Sequence, residues 1–142
     1  MNKKPVIIIV EDDENWLNIL SETITTHFKV KLEAFSSFFD AEKRLLKKPV
    51  DFDLLVTDIF PSNKSREIKG LKFANFANEI INVPVIIVTG EVEYVNTSLR
   101  DYNVIDAFDK GRFERIDFIN SVSKVIKPNR GSKDLSDADY LF

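Results

Sequence analysis

Pro5-Val6-Ile7-Ile8-Ile9-Val10, followed at once by Glu11-Asp12-Asp13, decides how this chain folds. The run is β-branched and shows no polar alternation, so it reads as a strand covered on both faces, as in the middle of a parallel sheet. Asp13 is a plausible N-cap, and Leu17, Leu20, Ile24 and Phe28 then recur at helical spacing. A buried strand running through acidic residues straight into a helix is a β–α unit, and the chain repeats that unit.

Four further apolar runs follow. Residues 30–35, Val-Lys-Leu-Glu-Ala-Phe, alternate and suit an edge or half-covered strand. Residues 52–58, 84–89 and 104–108 give the third, fourth and fifth strands. Ser36 or Ser37 caps a second helical pattern carrying Phe38, Ala41, Leu45 and Leu46, ended by Pro49. Leu71, Phe73, Ala74, Phe76, Ala77, Ile80 and Ile81 mark a third, and residues 92–103 a weak fourth. Ile116, Ile119, Val122, Val125 and Ile126 mark a fifth, stopped by Pro128. Strands alternating with single helices imply an α/β fold with right-handed crossovers and a doubly wound, five-stranded parallel sheet.

The 142 residues suit one domain, residues 1–128, with a polar tail over 129–142. A content of 44% hydrophobic and 30% charged residues fits an ordinary globular fold. With no cysteine, thiolate metal sites, disulfides and cysteine nucleophiles are excluded; the absence is neutral about compartment and fits the cytoplasmic location expected of this chain. The apolar run after the basic start is too short for a signal peptide or a membrane span, and Met1 with the short tail suggests a complete chain. A net charge of −3, evenly mixed, gives no nucleic-acid surface.

Open parallel sheets build their sites at the carboxyl ends of their strands. Glu11, Asp12 and Asp13 follow the first strand, Asp58 ends the third, Thr89 and Gly90 end the fourth, and Lys110 follows the fifth. Gathered carboxylates repel unless a proton or cation neutralises them. An all-oxygen donor set with no His or Cys favours a hard cation, Mg²⁺ above all. Such a cation can bridge a carboxylate and a phosphoryl oxygen, and an aspartate can itself take the phosphoryl group. A hydroxyl and an ammonium then hold the remaining oxygens. Taken singly, each residue has a plainer role: Asp13 as a cap, Thr89 in a turn, Lys110 in solvent. Their joint placement at four strand ends carries the functional reading.

These segments resemble the response-regulator receiver family of two-component signalling. Ile8-Ile9-Val10-Glu11-Asp12-Asp13 is similar to that family's first strand and acidic pair, and Leu54-Leu55-Val56-Thr57-Asp58 to its phosphoacceptor strand. Pro84 through Gly90 is similar to its fourth strand and switch hydroxyl, and Phe108-Asp109-Lys110 to its lysine segment. The resemblance spans residues 5 to about 127. It implies a flavodoxin-like strand order 2-1-3-4-5 with helices on both faces. It implies Asp58 as acceptor, Thr89 and Lys110 as partners of the phosphoryl group, and Mg²⁺ (or Mn²⁺) held by Glu11, Asp12, Asp58 and the backbone carbonyl of Phe60. It further implies a histidine kinase or phosphotransfer protein as donor and a downstream protein as target, with no nucleic-acid or membrane partner. Output, and a homodimer contact, would use the fourth helix, fifth strand and fifth helix. Such a domain would act only on its own phosphorylation state and would not be an enzyme in the ordinary sense.

Three departures stand out. The family's aromatic residue three positions before the lysine is Ala107 here, so either Phe108 beside it substitutes or the output runs differently. Gly111 stands where a proline usually follows the lysine, so a looser loop is expected. The loop after Asp58 has Pro61 one residue early and carries Lys64, Arg66 and Lys69 before Gly70. Asp53, a rival carboxylate, begins its strand and belongs at the opposite sheet edge. His27, the one histidine, reads as a helix-end residue, and Trp16 as half-buried on the first helix or as a docking residue. The tail's Asp134 to Phe142, mixing acids with Tyr140, Leu141 and Phe142, reads equally as a frayed end or a recognition segment. Two rivals remain: a receiver-like module that ignores phosphate, favoured by Ala107 and Gly111, and a phosphohydrolase, disfavoured because Phe60 stands where a second catalytic aspartate would be.

Overall fold

The computed structural model describes residues 4–47, 51–58, 82–90 and 103–129. Five strands, β1 (Val6–Val10), β2 (Lys31–Phe35), β3 (Leu54–Thr57), β4 (Val85–Thr89) and β5 (Val104–Asp109), form one sheet in the order β2-β1-β3-β4-β5. Every pairing is parallel. The expected strand order is therefore observed. The alternating run became an edge strand, β2, and the unbroken runs β1, β3 and β4 lie inside the sheet. An inner parallel strand is covered above and below, which is why its sequence has no polar face.

Three helices are described: α1 (Glu14–His27), α2 (Phe38–Leu46) and α3 (Arg115–Ser123). Asp13 caps α1, its carboxylate accepting from the Trp16 N–H at 3.1 Å. Ser37, not Ser36, caps α2 by accepting from the Asp40 N–H at 3.1 Å. Each cap satisfies a backbone donor that the first turn would otherwise leave orphaned. The expected helices at 71–81 and 92–103, the basic loop with Pro61 and Gly70, and the tail beyond Asn129 lie outside the described residues. Asn129 itself donates its N–H to the His27 carbonyl at 2.9 Å, tying the chain to the end of α1. His27 is the last residue of α1, as its sequence position suggested.

Consecutive strand residues point to opposite faces. Ile8, Val10, Leu55, Val85 and Ile87 pack with Ala41 and Leu45 of α2 on one face. Ile7, Ile9, Leu54, Val56, Ile86 and Val88 pack with Leu20 and Ile24 of α1 and Phe118, Ile119 and Val122 of α3 on the other. Helices thus cover both faces. At about 25 cal/mol per Å² of apolar surface removed from water, these two clusters are the main favourable term in holding the sheet. Among the described residues no helix is long and apolar enough to cross a membrane.

Candidate functional site: a lysine between two carboxylates

Register places the site residues side by side. Val10 pairs with Thr57, and Thr57 with Ile87, so the carboxyl ends of β1, β3 and β4 lie nearly level. Thr89 pairs with Asp109 at the end of β5. Glu11 continues the line by donating its N–H to Phe35 O at 3.0 Å, and Asp58 by donating to Val10 O at 3.2 Å. The chain then carries Glu11, Asp58, Thr89 and Lys110 to one edge from four separate strands.

The Lys110 ammonium joins them. Its Nζ stands 2.9 Å from Asp58 Oδ2 and 2.9 Å from Glu11 Oε1. Glu11 is 1% exposed, Asp58 5% and Thr89 fully buried, so these contacts lie beneath the surface, where charges interact more strongly than in water. The other Glu11 oxygen accepts from the Asp13 N–H at 3.1 Å. Burial pushes the Glu11 carboxyl up to about 7, outweighing the Lys110 ammonium that opposes it. Burial also disfavours charge on Lys110, yet the carboxylates of Asp58 and Glu11 outweigh it and hold the ammonium above its ordinary range. Asp12 is half-buried beside them, its Oδ1 out of contact with solvent.

Asp53 is at the other edge, as expected. Its Oδ2 accepts from the Val6 N–H at 2.8 Å, and it lines a cleft of about 350 Å³ with Lys4, Lys31 and Arg44. Phe60 lies outside the described residues, and with it the expected carbonyl ligand.

The donor set can be tested against a divalent cation. Among the described residues no group of three or more His, Cys, Asp or Glu side chains is gathered so as to hold one. The Lys110 ammonium sits between Glu11 and Asp58. The chemistry of the donors nevertheless fits. They are all carboxylates, two of them are buried, and one ammonium cannot neutralise Glu11, Asp12 and Asp58 together.

Two departures resolve. Phe108 does not replace the missing ring at Ala107, because the two lie on opposite faces. Ala107 packs on the α2 side, whereas Phe108 packs with Phe113 and Phe118 on the α1–α3 side, at centroid distances of 6.1 and 5.7 Å. The Gly111 loop is not loose either. Lys110–Arg112 form a turn of 3-10 helix, and Asp109 Oδ1 accepts from the Gly111 N–H at 2.9 Å. A Cβ at Gly111 would come within 3.3 Å of that same Asp109 oxygen, so the tight cap and the small residue go together.

Trp16 is half-buried on α1, one of the two roles expected for it, and it and Phe113 flank Lys110 in a contact the sequence did not announce. The Trp16 ring lies 5.5 Å from Lys110 Nζ, and Phe113 meets Trp16 edge-on at 5.1 Å. Trp16 stands in the first turn of a helix that begins at the acidic pair, which is why it lies near the same edge.

No family model and no curated protein matches the sequence. Solved structures do match in fold. The receiver domain of HemR from Leptospira biflexa, in its non-phosphorylated form, aligns with 89% of this chain and 98% of its own at 24% identity and a TM-score of 0.70. The response regulator TrrA from Thermotoga maritima, solved with Mg²⁺ and BeF, aligns over 84% of this chain and 97% of its own at 20% identity and a TM-score of 0.69. A signal receiver domain of an HD domain-containing protein from Pseudomonas fluorescens covers 87% of this chain and 94% of its own at 13% identity and a TM-score of 0.71. The fold of this chain is that of the response-regulator receiver domains, the flavodoxin-like parallel sheet in the order 2-1-3-4-5.

Proposed function

We propose that this chain is a response-regulator receiver that accepts a phosphoryl group on Asp58 and signals by protein contact. The observation that supports this best is the Lys110 ammonium held 2.9 Å from both Asp58 and Glu11 at the carboxyl edge, where parallel sheets carry their sites. An Asp58 oxygen attacks the phosphorus of a phosphohistidine or a small acyl phosphate. The new O–P bond forms a mixed anhydride, the bond from phosphorus to the donor breaks, and the leaving imidazole or carboxylate keeps the electron pair. Lys110 offsets the charge on Asp58 beforehand and binds a phosphoryl oxygen afterwards, as a compact point charge. Thr89, at the end of the neighbouring strand, supplies a hydroxyl for another oxygen. Glu11, Asp12, Asp58 and the carbonyl of Phe60 would hold Mg²⁺ or Mn²⁺, which supplies charge neutralisation at the phosphoryl group when bound.

On this reading the donor is a histidine kinase or phosphotransfer protein and the target a downstream protein, in the cytoplasm, with neither nucleic acid nor membrane as partner. Output or a homodimer contact would use β5 and α3 together with the expected fourth helix, which lies outside the described residues. The domain changes only its own phosphorylation state and does not turn over a substrate pool. Incubating the full chain with acetyl phosphate and Mg²⁺ and reading intact mass tests this. A phosphate-sized gain absent from Asp58→Asn is expected, and no gain in the wild type overturns the reading.

A second reading, a receiver-like module that ignores phosphate, draws on Ala107. With no ring on the α2 side of β5, the Thr-to-aromatic switch has no partner there. Phosphate uptake without any change in partner binding would favour it.

A further inference from the structure

The packing around Lys110 assigns a role to a residue outside the proposed acid–hydroxyl–lysine set. Lys110 Nζ has carboxylates on two sides, and on a third lies the face of Trp16, 5.5 Å from ring centre to nitrogen. A cation at that distance from an indole face is attracted by the negative ring face, more strongly when partly removed from water. The Lys110 side chain is only 17% exposed, so that condition is met.

Trp16 is itself held at both ends. Its backbone N–H is donated to the Asp13 carboxylate, and Asp13 in turn donates its own N–H to Glu11 Oε2. Its ring meets Phe113 edge-on at an interplanar angle of 90°, and Phe113 lies against Phe118, which is fully buried between sheet and helices. Phe108 closes the group from β5. A ring fixed by the core on one side and facing an ammonium on the other restricts where that ammonium can sit.

We propose that Trp16 is a positioning residue, its indole face holding the Lys110 ammonium between Glu11 and Asp58 in readiness for the phosphoryl group. The role in phosphoryl transfer rests on Asp58 being the acceptor; the contact itself does not. Trp16 is also placed to report on the site, because phosphate on Asp58 would draw Lys110 toward new oxygens and change the charge over the ring.

The experiment has two arms, both on the full chain. Trp16 is the one tryptophan, so emission excited at the red edge, where the three tyrosines do not absorb, reads it alone. Lys110→Met keeps the side-chain length and removes the charge, and should shift or rescale that emission with no phosphodonor present. In the second arm, phosphate uptake from acetyl phosphate with Mg²⁺ is timed for wild type, Trp16→Phe and Trp16→Leu. Phe should stay within about twofold of wild type and Leu should fall by about tenfold, the range expected for losing a partly desolvated cation–π contact. A purely structural role would not separate an aromatic from an aliphatic replacement in rate once circular dichroism shows both folded. If the Leu variant does not fold, the Phe rate and the Lys110→Met emission still decide. Emission unchanged by Lys110→Met, or equal rates for Phe and Leu, overturns the proposal. A wild type that takes no phosphate overturns the acceptor reading instead, and the positioning then stands or falls on the emission arm.

Discussion

Lys110 Nζ and Asp58 Oδ2 meet at 2.9 Å although 52 residues separate them in the chain. The contact joins the loop after β5 to the end of β3, across the width of β4. One ammonium serves two buried carboxylates, so its removal leaves both without their shared cation.

Lys110→Met should therefore weaken both folding and phosphate handling. Breaking a buried ion pair from one side commonly costs about 3–5 kcal/mol, and Lys110 is partly exposed, so the lower part of that range or less is expected. Urea denaturation checks the stability loss. A phosphate uptake rate equal to wild type would contradict a role for the ammonium at the phosphoryl group.

Glu11 makes stability depend on pH in a definite direction. Its folded value of about 7 lies above the ordinary 4.5, so between these limits the folded state binds the extra proton. Stability should fall as pH rises through that window and level off above it, by about 3 kcal/mol at 1.36 kcal/mol per unit. Lys110, raised above 10.5, contributes stability that persists throughout this range and does not tilt the curve. Glu11→Gln should remove the slope. Urea midpoints of both proteins from pH 4 to 9 with chelator present measure it, and parallel curves would refute the shift.

Metal dependence separates Asp12 from Asp58. Chelation should stop phosphate uptake in the wild type, and added Mg²⁺ should restore it. Asp12→Asn should demand more Mg²⁺ for half-maximal rate while still accepting phosphate, whereas Asp58→Asn should accept none at any concentration. A metal titration with intact-mass readout distinguishes these, and uptake undiminished by chelator would remove Mg²⁺ from the scheme.

Phe118→Ala should destabilise by about 3–5 kcal/mol, the usual cost of emptying a fully buried aromatic site. Phe118 supports Phe113, which abuts Trp16, so the change should also alter tryptophan emission. Chemical denaturation and emission spectra check the two effects, and a small stability change would mean the aromatic group packs differently.

Much was legible because periodicity reports burial directly. An unbroken β-branched run can only be comfortable inside a parallel sheet, and an alternating one at its edge. That logic located β1 and β2 and, through the strand-end rule, brought Glu11, Asp58, Thr89 and Lys110 to one edge. Asp13 and the Ser36–Ser37 pair announced their helices by cap chemistry, though only the structure chose Ser37. Of the two readings open for Phe108, the structure excludes substitution, since Phe108 faces away from Ala107. The pairing of β4 with β5 shifts register after Val85, so that Val85 faces Val104 but Ile86 faces Asp106. Ile105 and Phe108, three residues apart, then pack on the same face, while the adjacent Ala107 and Phe108 keep the ordinary alternation to opposite faces.

The order of apolar runs and the residue types at their ends were written in the chain itself, because strand burial and cap chemistry are local consequences of sequence. Which groups touch was decided only by folding. Lys110 bridging Glu11 and Asp58, burial lifting Glu11 to about 7, and Trp16 lying against the ammonium all depend on distances between segments remote in sequence. Electrostatics in a protein follow distance and solvent exposure, and neither exists until the sheet has brought its strand ends together.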